Sequence, residues 1–303
     1  MAEGPEGARA FWARSSDGVR VRIGYWPTGL APQGTVLLFP GRTEYLEKYG
    51  RVTSELTAAG YHVLGIDWRG QGLSDRLTED SRLGHVLSFD DYQLDVRSLL
   101  AKAEELELPK PFYLLAHSMG GCIGLRALVE GLEVNCAVFS APMWGIFVSR
   151  GAGPVAKFLP SIMKASGQGL RTLPSTSPTS HITGTTFMLN LLTNDRDHYD
   201  YMRRQAEAHP EFALGGPTYF WFSAARREMA SLINAPRVNL PVQTYLGTRE
   251  AIVDPRAIRE MHENWPSAEL TIVSGARHEL MMEIPELRSQ FMTGALEFFK
   301  QNR

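Results

Sequence analysis

Hydrophobic and polar positions change period along the chain in a regular order. Two alternating runs, Ala10 to Arg14 and Val19 to Trp26, flank Ser15-Ser-Asp-Gly18, the signature of a hairpin. Thr35 to Phe39 is then continuously apolar, as a strand covered on both faces requires. An amphipathic stretch runs to Ala59, Gly60 stops it, and Tyr61 to Asp67 predicts another buried strand. Residues 90–106 have helical spacing, Phe112 to Leu115 is β-prone, and Ile123 to Glu130 is helix-compatible. Ala137 to Ser140 closes a further strand, after which the alternation stops. It resumes at Val242 to Leu246, followed by a helix from Asp254, a strand at Glu269 to Val273 and a helix from Pro285 to Lys300. Strand and helix in alternation predict an α/β fold, a mostly parallel sheet with helices on both faces.

The interruption spans about residues 143–235. It is rich in Gly, Pro, Ser and Thr through residue 178 and carries helical runs at Asp197 to His209 and Phe220 to Ile233. Some ninety residues with no sheet pattern predict an inserted helical cap on a core made of residues 1–142 and 236–303. Trp144, Ile146, Phe147, Phe158, Leu159, Ile162 and Met163, with Tyr219 to Phe222, provide apolar surface there. They can line an apolar tunnel, or simply form the core that any helical cap must bury.

One stretch carries chemistry. Leu114-Leu-Ala-His-Ser-Met-Gly-Gly-Cys122 places Ser118 between a strand and a helix, with small residues two before and two after it. That is a nucleophile elbow, in which a sharp turn pushes the serine hydroxyl out of the sheet. Ala116 stands where the usual pattern has glycine. A methyl group is a modest departure, because close packing is needed there and not a backbone angle reserved to glycine.

The composition narrows the reading without changing it. A chain of 303 residues with net charge −2 buries a sizeable core and has neither a basic surface for nucleic acid nor an acidic tail. Cys122 and Cys136 both sit in apolar surroundings and predict small buried thiols. Acids occupy the first residues where a signal peptide would carry bases, and no run of about 18 apolar residues appears, so a cytoplasmic protein is expected, with peripheral contact at the inner face of the membrane left open.

The chain resembles the α/β-hydrolases, specifically the monoacylglycerol lipase and bacterial lysophospholipase branch. The resemblance rests on Ala116-His-Ser-Met-Gly-Gly121, Asp67-Trp-Arg-Gly-Gln-Gly-Leu-Ser74, Pro40-Gly-Arg-Thr-Glu44 and Gly275-Ala-Arg-His278. Gly215-Gly-Pro-Thr-Tyr-Phe-Trp221 is more similar to the lysophospholipase side. The resemblance implies the chain order serine, acid, histidine. His278, in a loop after a strand, is then the expected base, while His262 falls in a helical run and His117 is expected to point into the fold. The family's acid stands three residues after Gly247, which here is Glu250. Asp254 is the runner-up acid, although before Pro255 it also has the look of a helix cap.

The resemblance places the oxyanion donors on the main chain of Met119 and Arg42. It sets Glu44 near the head-group end of the site, where a carboxylate interacting with a helix start is an equal reading. Trp144 and Trp221 are the cap residues expected nearest the substrate. Arg203, Arg204, Arg226 and Arg227 can meet a phosphate or be solvated helix faces. The Asp67 loop reads as structural.

The implied activity is hydrolysis of carboxylic esters of single-chain lipids, a lysophospholipid or a monoacylglycerol, without a metal or organic cofactor. A general carboxylesterase or a peptidase for small substrates remains an alternative, as does a non-catalytic binding protein on the same fold. The oligomeric state is not indicated.

Overall fold

The computed structural model describes residues 2–147, 162–163, 165–174, 176 and 180–303. Phe158 and Leu159 lie outside them. Among the described residues eight strands form one sheet in the order β1-β2-β4-β3-β5-β6-β7-β8. The hairpin is β1 (Arg9–Arg14) and β2 (Arg20–Trp26), antiparallel to each other, and β2 is in turn antiparallel to β4 (His62–Asp67). From β4 onward, through β3 (Thr35–Phe39), β5 (Phe112–His117), β6 (Cys136–Ser140), β7 (Val242–Gly247) and β8 (Ala268–Val273), every pairing is parallel. Burial follows from position. The central strands β3, β5, β6 and β7 are covered on both faces, whereas edge strand β8 alternates between partial and full exposure until Val273.

The helices α1 (Gly50–Ala58), α2 (Asp90–Glu105) and α3 (Met119–Val129) follow strands β3, β4 and β5 and supply the crossovers that parallel pairing demands. Helix α3 begins directly after the elbow, four residues earlier than the apolar pattern suggests. Gly120 and Gly121 make that start possible. A Cβ on Gly120 would lie 2.1 Å from the Phe39 carbonyl oxygen, and one on Gly121 2.6 Å from Pro142 Cβ.

After β6 the chain leaves the sheet and rejoins it at β7. Between them lie α4 (Arg196–Ala208) and α5 (Tyr219–Ile233), both started by side-chain caps, Asp195 and Thr218. Helix α5 faces inward. Trp221, Phe222, Ala224, Ala225, Met229 and Leu232 join the main hydrophobic core, and Glu228 pairs with Arg126 of α3 at 2.6 Å. Helices α6 (Pro255–Glu263) and α7 (Pro285–Gln301) complete the fold, α6 capped by Asp254 and both with proline in the first turn.

Candidate active site

Ser118 stands between β5 and α3 with φ +49° and ψ −116°, a left-handed backbone that costs a non-glycine residue about 1–2 kcal/mol. The turn is held from four sides. Its N–H donates to the Ser140 carbonyl at 3.0 Å, and its own carbonyl accepts from Gly121, Cys122 and Met143 at 2.9, 3.3 and 2.8 Å. Ala116, just upstream, is fully buried in regular strand pairing with Phe39 and Phe139, so its methyl is absorbed without strain.

Two loops reach Ser118 from the C-terminal edge of the sheet. His278 follows β8, and Glu250 follows β7. The loops approach closely because position 247 is glycine, where a Cβ would lie 2.2 Å from the Ala276 carbonyl oxygen. Arg249 N–H donating to that same oxygen at 2.9 Å ties them together. His278 Nδ1 lies 2.7 Å from Glu250 Oε2 and its Nε2 3.0 Å from Ser118 Oγ.

A carboxylate accepts only, so the proton between His278 and Glu250 sits on Nδ1. Nε2 is then free to accept from the serine. The other Glu250 oxygen accepts from the N–H groups of Ile252 and Val253 at 2.7 and 3.2 Å. Burial raises the Glu250 carboxyl, but the His278 charge and these donors outweigh it and hold it below its ordinary value. Asp254 is engaged elsewhere: its carboxylate accepts from Arg256 N–H at 2.9 Å and starts α6.

The backbone N–H groups of Met119 and Arg42 have no acceptor among the described residues. Met119 is the first residue of α3, where an N–H has no intrahelical partner. Arg42 lies in the loop after β3, shaped by Thr43 at φ +66° and clamped from behind. Glu44 accepts from Gly41 N–H, and Gln71 donates to the carbonyls of Gly41 and Glu44 at 2.7 and 3.1 Å. Trp68 Nε1 donates to the Pro40 carbonyl at 2.9 Å. The loop after β4 therefore braces the loop after β3. Asp67 anchors that brace, buried between Arg22 at 2.7 Å and the N–H groups of Leu46 and Leu73.

Beneath His278 lies a buried ionic cluster. Lys48 Nζ is 2.5 Å from Glu44 Oε1 and 2.6 Å from Glu279 Oε1, and Tyr49 donates to Glu44 Oε2 at 2.5 Å. His117 Nε2 lies 3.3 Å from Glu279 and 3.5 Å from Glu44, with its ring 4.8 Å from that of His278. Burial lowers the His117 pKa, but the two carboxylates win and hold it raised. Glu279 is driven well below its ordinary value: its own burial opposes this, and Lys48 and His117 outweigh it. The donor atoms of Glu44, His117 and Glu279 lie within 4.8 Å of one another, close enough for a cation, and the Lys48 ammonium already bridges the two carboxylates. His117 points into the fold. Glu44 also borders the cleft, its carboxylate turned to Lys48, Tyr49 and Gly41.

Glu44, Lys48 and Glu279 border a cleft of about 560 Å³. Ser118, His278 and Arg42 share it with Ile146, Ile182, Leu192, Met202 and Leu214, among others. Trp221 borders it as well. Trp144 does not line it: its side chain is fully buried against Phe139 and Trp265, with Nε1 donating to the Gly121 carbonyl at 3.2 Å. Arg203 and Arg204 are also off the cleft, paired with Glu207 and Glu3. A second hollow, about 630 Å³, lies around Pro111 and Arg303 at the opposite end of β5 and is lined by no serine, cysteine or histidine.

Sequence reasoning missed the Lys48–Glu279 link, which joins residues 231 positions apart, and the brace from Gln71. A lysine four residues after Glu44 was a signal for part of it.

Sheet order, elbow and converging loops are those of an α/β-hydrolase. The chain belongs to the serine aminopeptidase S33 family, whose model matches residues 31–285, and within it to the lysophospholipase and monoglyceride lipase branch. It is 32% identical over 293 residues to lysophospholipase L2 of Escherichia coli K12, covering 88% of this chain and 80% of that protein. With the monoglyceride lipase of Saccharomyces cerevisiae it shares 25% identity over 281 residues, 87% and 84% of the two chains. The crystal structure of a soluble variant of yeast monoglyceride lipase with a substrate analog superposes with a TM-score of 0.78 at 19% identity, covering 99% and 98% of the two chains. That likeness is one of fold.

Proposed function

We propose that the protein hydrolyses carboxylic esters of single-chain lipids, lysophospholipids or monoacylglycerols, through an acyl-enzyme on Ser118. The observation that carries this reading is the hydrogen-bonded line Ser118–His278–Glu250 opening on an apolar cleft. Ser118 Oγ attacks the ester carbonyl carbon as His278 Nε2 takes its proton, and Glu250 stabilises the imidazolium. The N–H groups of Met119 and Arg42 meet the oxyanion. Collapse breaks the ester C–O bond, and the proton on Nε2 passes to the departing head-group alkoxide. Water, deprotonated by His278, then releases the fatty acid and restores Ser118.

Residues 143–235 act in this reading as a cap over the cleft, anchored to the core by α5. Peripheral contact with a lipid surface belongs to the cap. In support, Met188 and Leu189 are 83% and 73% exposed.

A peptidase for free N-termini is disfavoured by the cleft itself. Such an enzyme needs an acid to receive the substrate ammonium, and both described acids there, Glu44 and Glu279, are already bound to Lys48.

The test is a panel of lysophosphatidylcholine, long-chain monoacylglycerol, short p-nitrophenyl esters and an aminoacyl amide, offered to wild type and Ser118→Ala. Long single-chain lipids should lead, and Ser118→Ala should lose at least about 10⁴-fold in kcat together with fluorophosphonate labelling. Turnover confined to short esters or the amide sinks the lipid reading, and labelling that survives in Ser118→Ala sinks the nucleophile. With lipid vesicles, Met188→Asp should slow turnover more than with short soluble esters; an equal effect removes the membrane contact.

A further inference from the structure

The charged side chains that border the cleft differ in one respect. Glu44, Lys48 and Glu279 answer one another, and His278 is answered by Glu250. Arg42 is not answered. Among the described residues its guanidinium makes one hydrogen bond, from Nη2 to the Gly215 carbonyl at 3.0 Å, and its Nε has no acceptor. It lies over the Trp221 ring at 4.9 Å, which offsets a cation without neutralising it. Gly84 makes room for it, since a Cβ there would lie 2.8 Å from Nη2. Burial pulls the group down to about 10, so it still carries its charge at neutral pH. An enclosed charge without a counter-ion is expensive to keep, and one that borders a substrate cleft is explained when the ligand brings the opposite charge.

We propose that the Arg42 guanidinium receives the phosphate of the substrate's head group, so that the preferred substrates are phosphate-bearing single-chain lipids, lysophospholipids over monoacylglycerols. The inference rests on the ester-hydrolase reading and adds the head group to it. One residue then serves both ends of the polar part of the substrate: its main-chain N–H faces the ester carbonyl oxygen, and its side chain faces the phosphate. Arg42 Cα and its guanidinium are separated by three methylenes and a nitrogen. In a lysophospholipid, the carbonyl carbon, the alkoxy oxygen, three glycerol carbons and a further oxygen separate the carbonyl oxygen from phosphorus, a reach similar to that from the Arg42 main-chain nitrogen to its guanidinium carbon. The planar fork of donors on a guanidinium matches phosphate oxygens better than it matches glycerol hydroxyls.

The experiment compares kcat/KM for lysophosphatidylcholine and lysophosphatidic acid with that for 1-monoacylglycerol of the same acyl chain, in mixed micelles. It uses the full chain as wild type, Arg42→Met, Arg42→Lys and Arg42→Gln. Glutamine keeps a donor for the Gly215 carbonyl while removing the charge. The ratio of phosphate lipid to neutral lipid should exceed one in wild type and fall about 10- to 100-fold in Arg42→Met and Arg42→Gln, with lysine restoring part of it. Because both rates can drop when the loop after β3 is disturbed, the ratio is the readout.

A ratio unchanged in both Arg42→Met and Arg42→Gln overturns the inference and leaves the ester-lipase reading standing. Inorganic phosphate that inhibits monoacylglycerol hydrolysis by wild type but not by Arg42→Gln, with the lipid ratio unmoved, marks a site for free anion and also overturns it. Wild type that cleaves neither lipid overturns the ester-lipase reading, and this inference with it.

Discussion

Two polar groups of residues meet at His278 and are built to opposite rules. Above it, the line through Ser118 and Glu250 ends in groups left open: an unpaired serine hydroxyl lone pair, the N–H groups of Met119 and Arg42, and a strained elbow. Below it, Glu44, Glu279, Lys48 and His117 balance their charges among themselves inside the protein. In the proposed mechanism reactivity resides in the open set, since donors without partners have something to offer a transition state. The closed set turns its charges on one another. It joins the loop after β3, the elbow and the histidine loop into one block, so that the open groups hold their places.

The sharpest way to break this contrast is at its upper end. Glu250→Gln keeps the shape but removes the charge that steadies the imidazolium, and kcat should fall roughly 10³- to 10⁴-fold. Asp254→Asn should keep activity within about threefold and lose at most ~1 kcal/mol of stability, since it touches a helix cap alone. Steady-state kinetics on both variants decide it; an inactive Asp254→Asn with an active Glu250→Gln would reverse the assignment.

At the lower end the currency should be stability. Lys48→Met strands two buried carboxylates and should cost about 3–5 kcal/mol in urea unfolding, with a smaller loss of kcat than Glu250→Gln produces. If Lys48→Met instead leaves stability within ~0.5 kcal/mol while abolishing turnover, the two groups are not divided as described.

The mildest test is by pH. His117 has a raised pKa in the folded protein, so its contribution is complete below the ordinary 6.5 and is lost as pH rises through the folded value. Glu250 and Glu279 are lowered, so theirs is present above the ordinary carboxylate range and lost as pH falls through the folded values. Stability should therefore decline on both flanks, and His117→Gln should flatten the alkaline one by about 1 kcal/mol while also shallowing the acid one, because His117 helps to hold Glu279 low. An unaltered alkaline flank would mean that His117 carries no charge there.

What could be read from sequence follows the range of the interactions. The alternation of strand and helix and the elbow are local, so Thr35–Phe39 and the run around Ser118 announced themselves. Glu250 was legible because its loop position, counted from Gly247, is set by the end of β7. Lys48 was not. Its meaning depends on Glu279 at the far end of the chain, and no periodicity encodes that. Arg42 was legible as a main-chain donor but not as a side chain, because the lack of a counter-ion for it among the described residues is visible only in the folded protein. Trp144 shows the reverse error: a large aromatic in the cap segment looked like substrate surface, and it packs into the core behind α3.

The separation of 160 residues between Ser118 and His278 has a consequence for how the protein is made. During synthesis the elbow emerges with β5 and α3 already able to form, but its base belongs to a loop after β8, the last strand and an edge of the sheet. Until that strand docks, the nascent chain carries a serine with no base to activate it. With His278 as the base, activity therefore switches on in one step, when β8 and its loop dock, and a product truncated before β8 is inert toward esters.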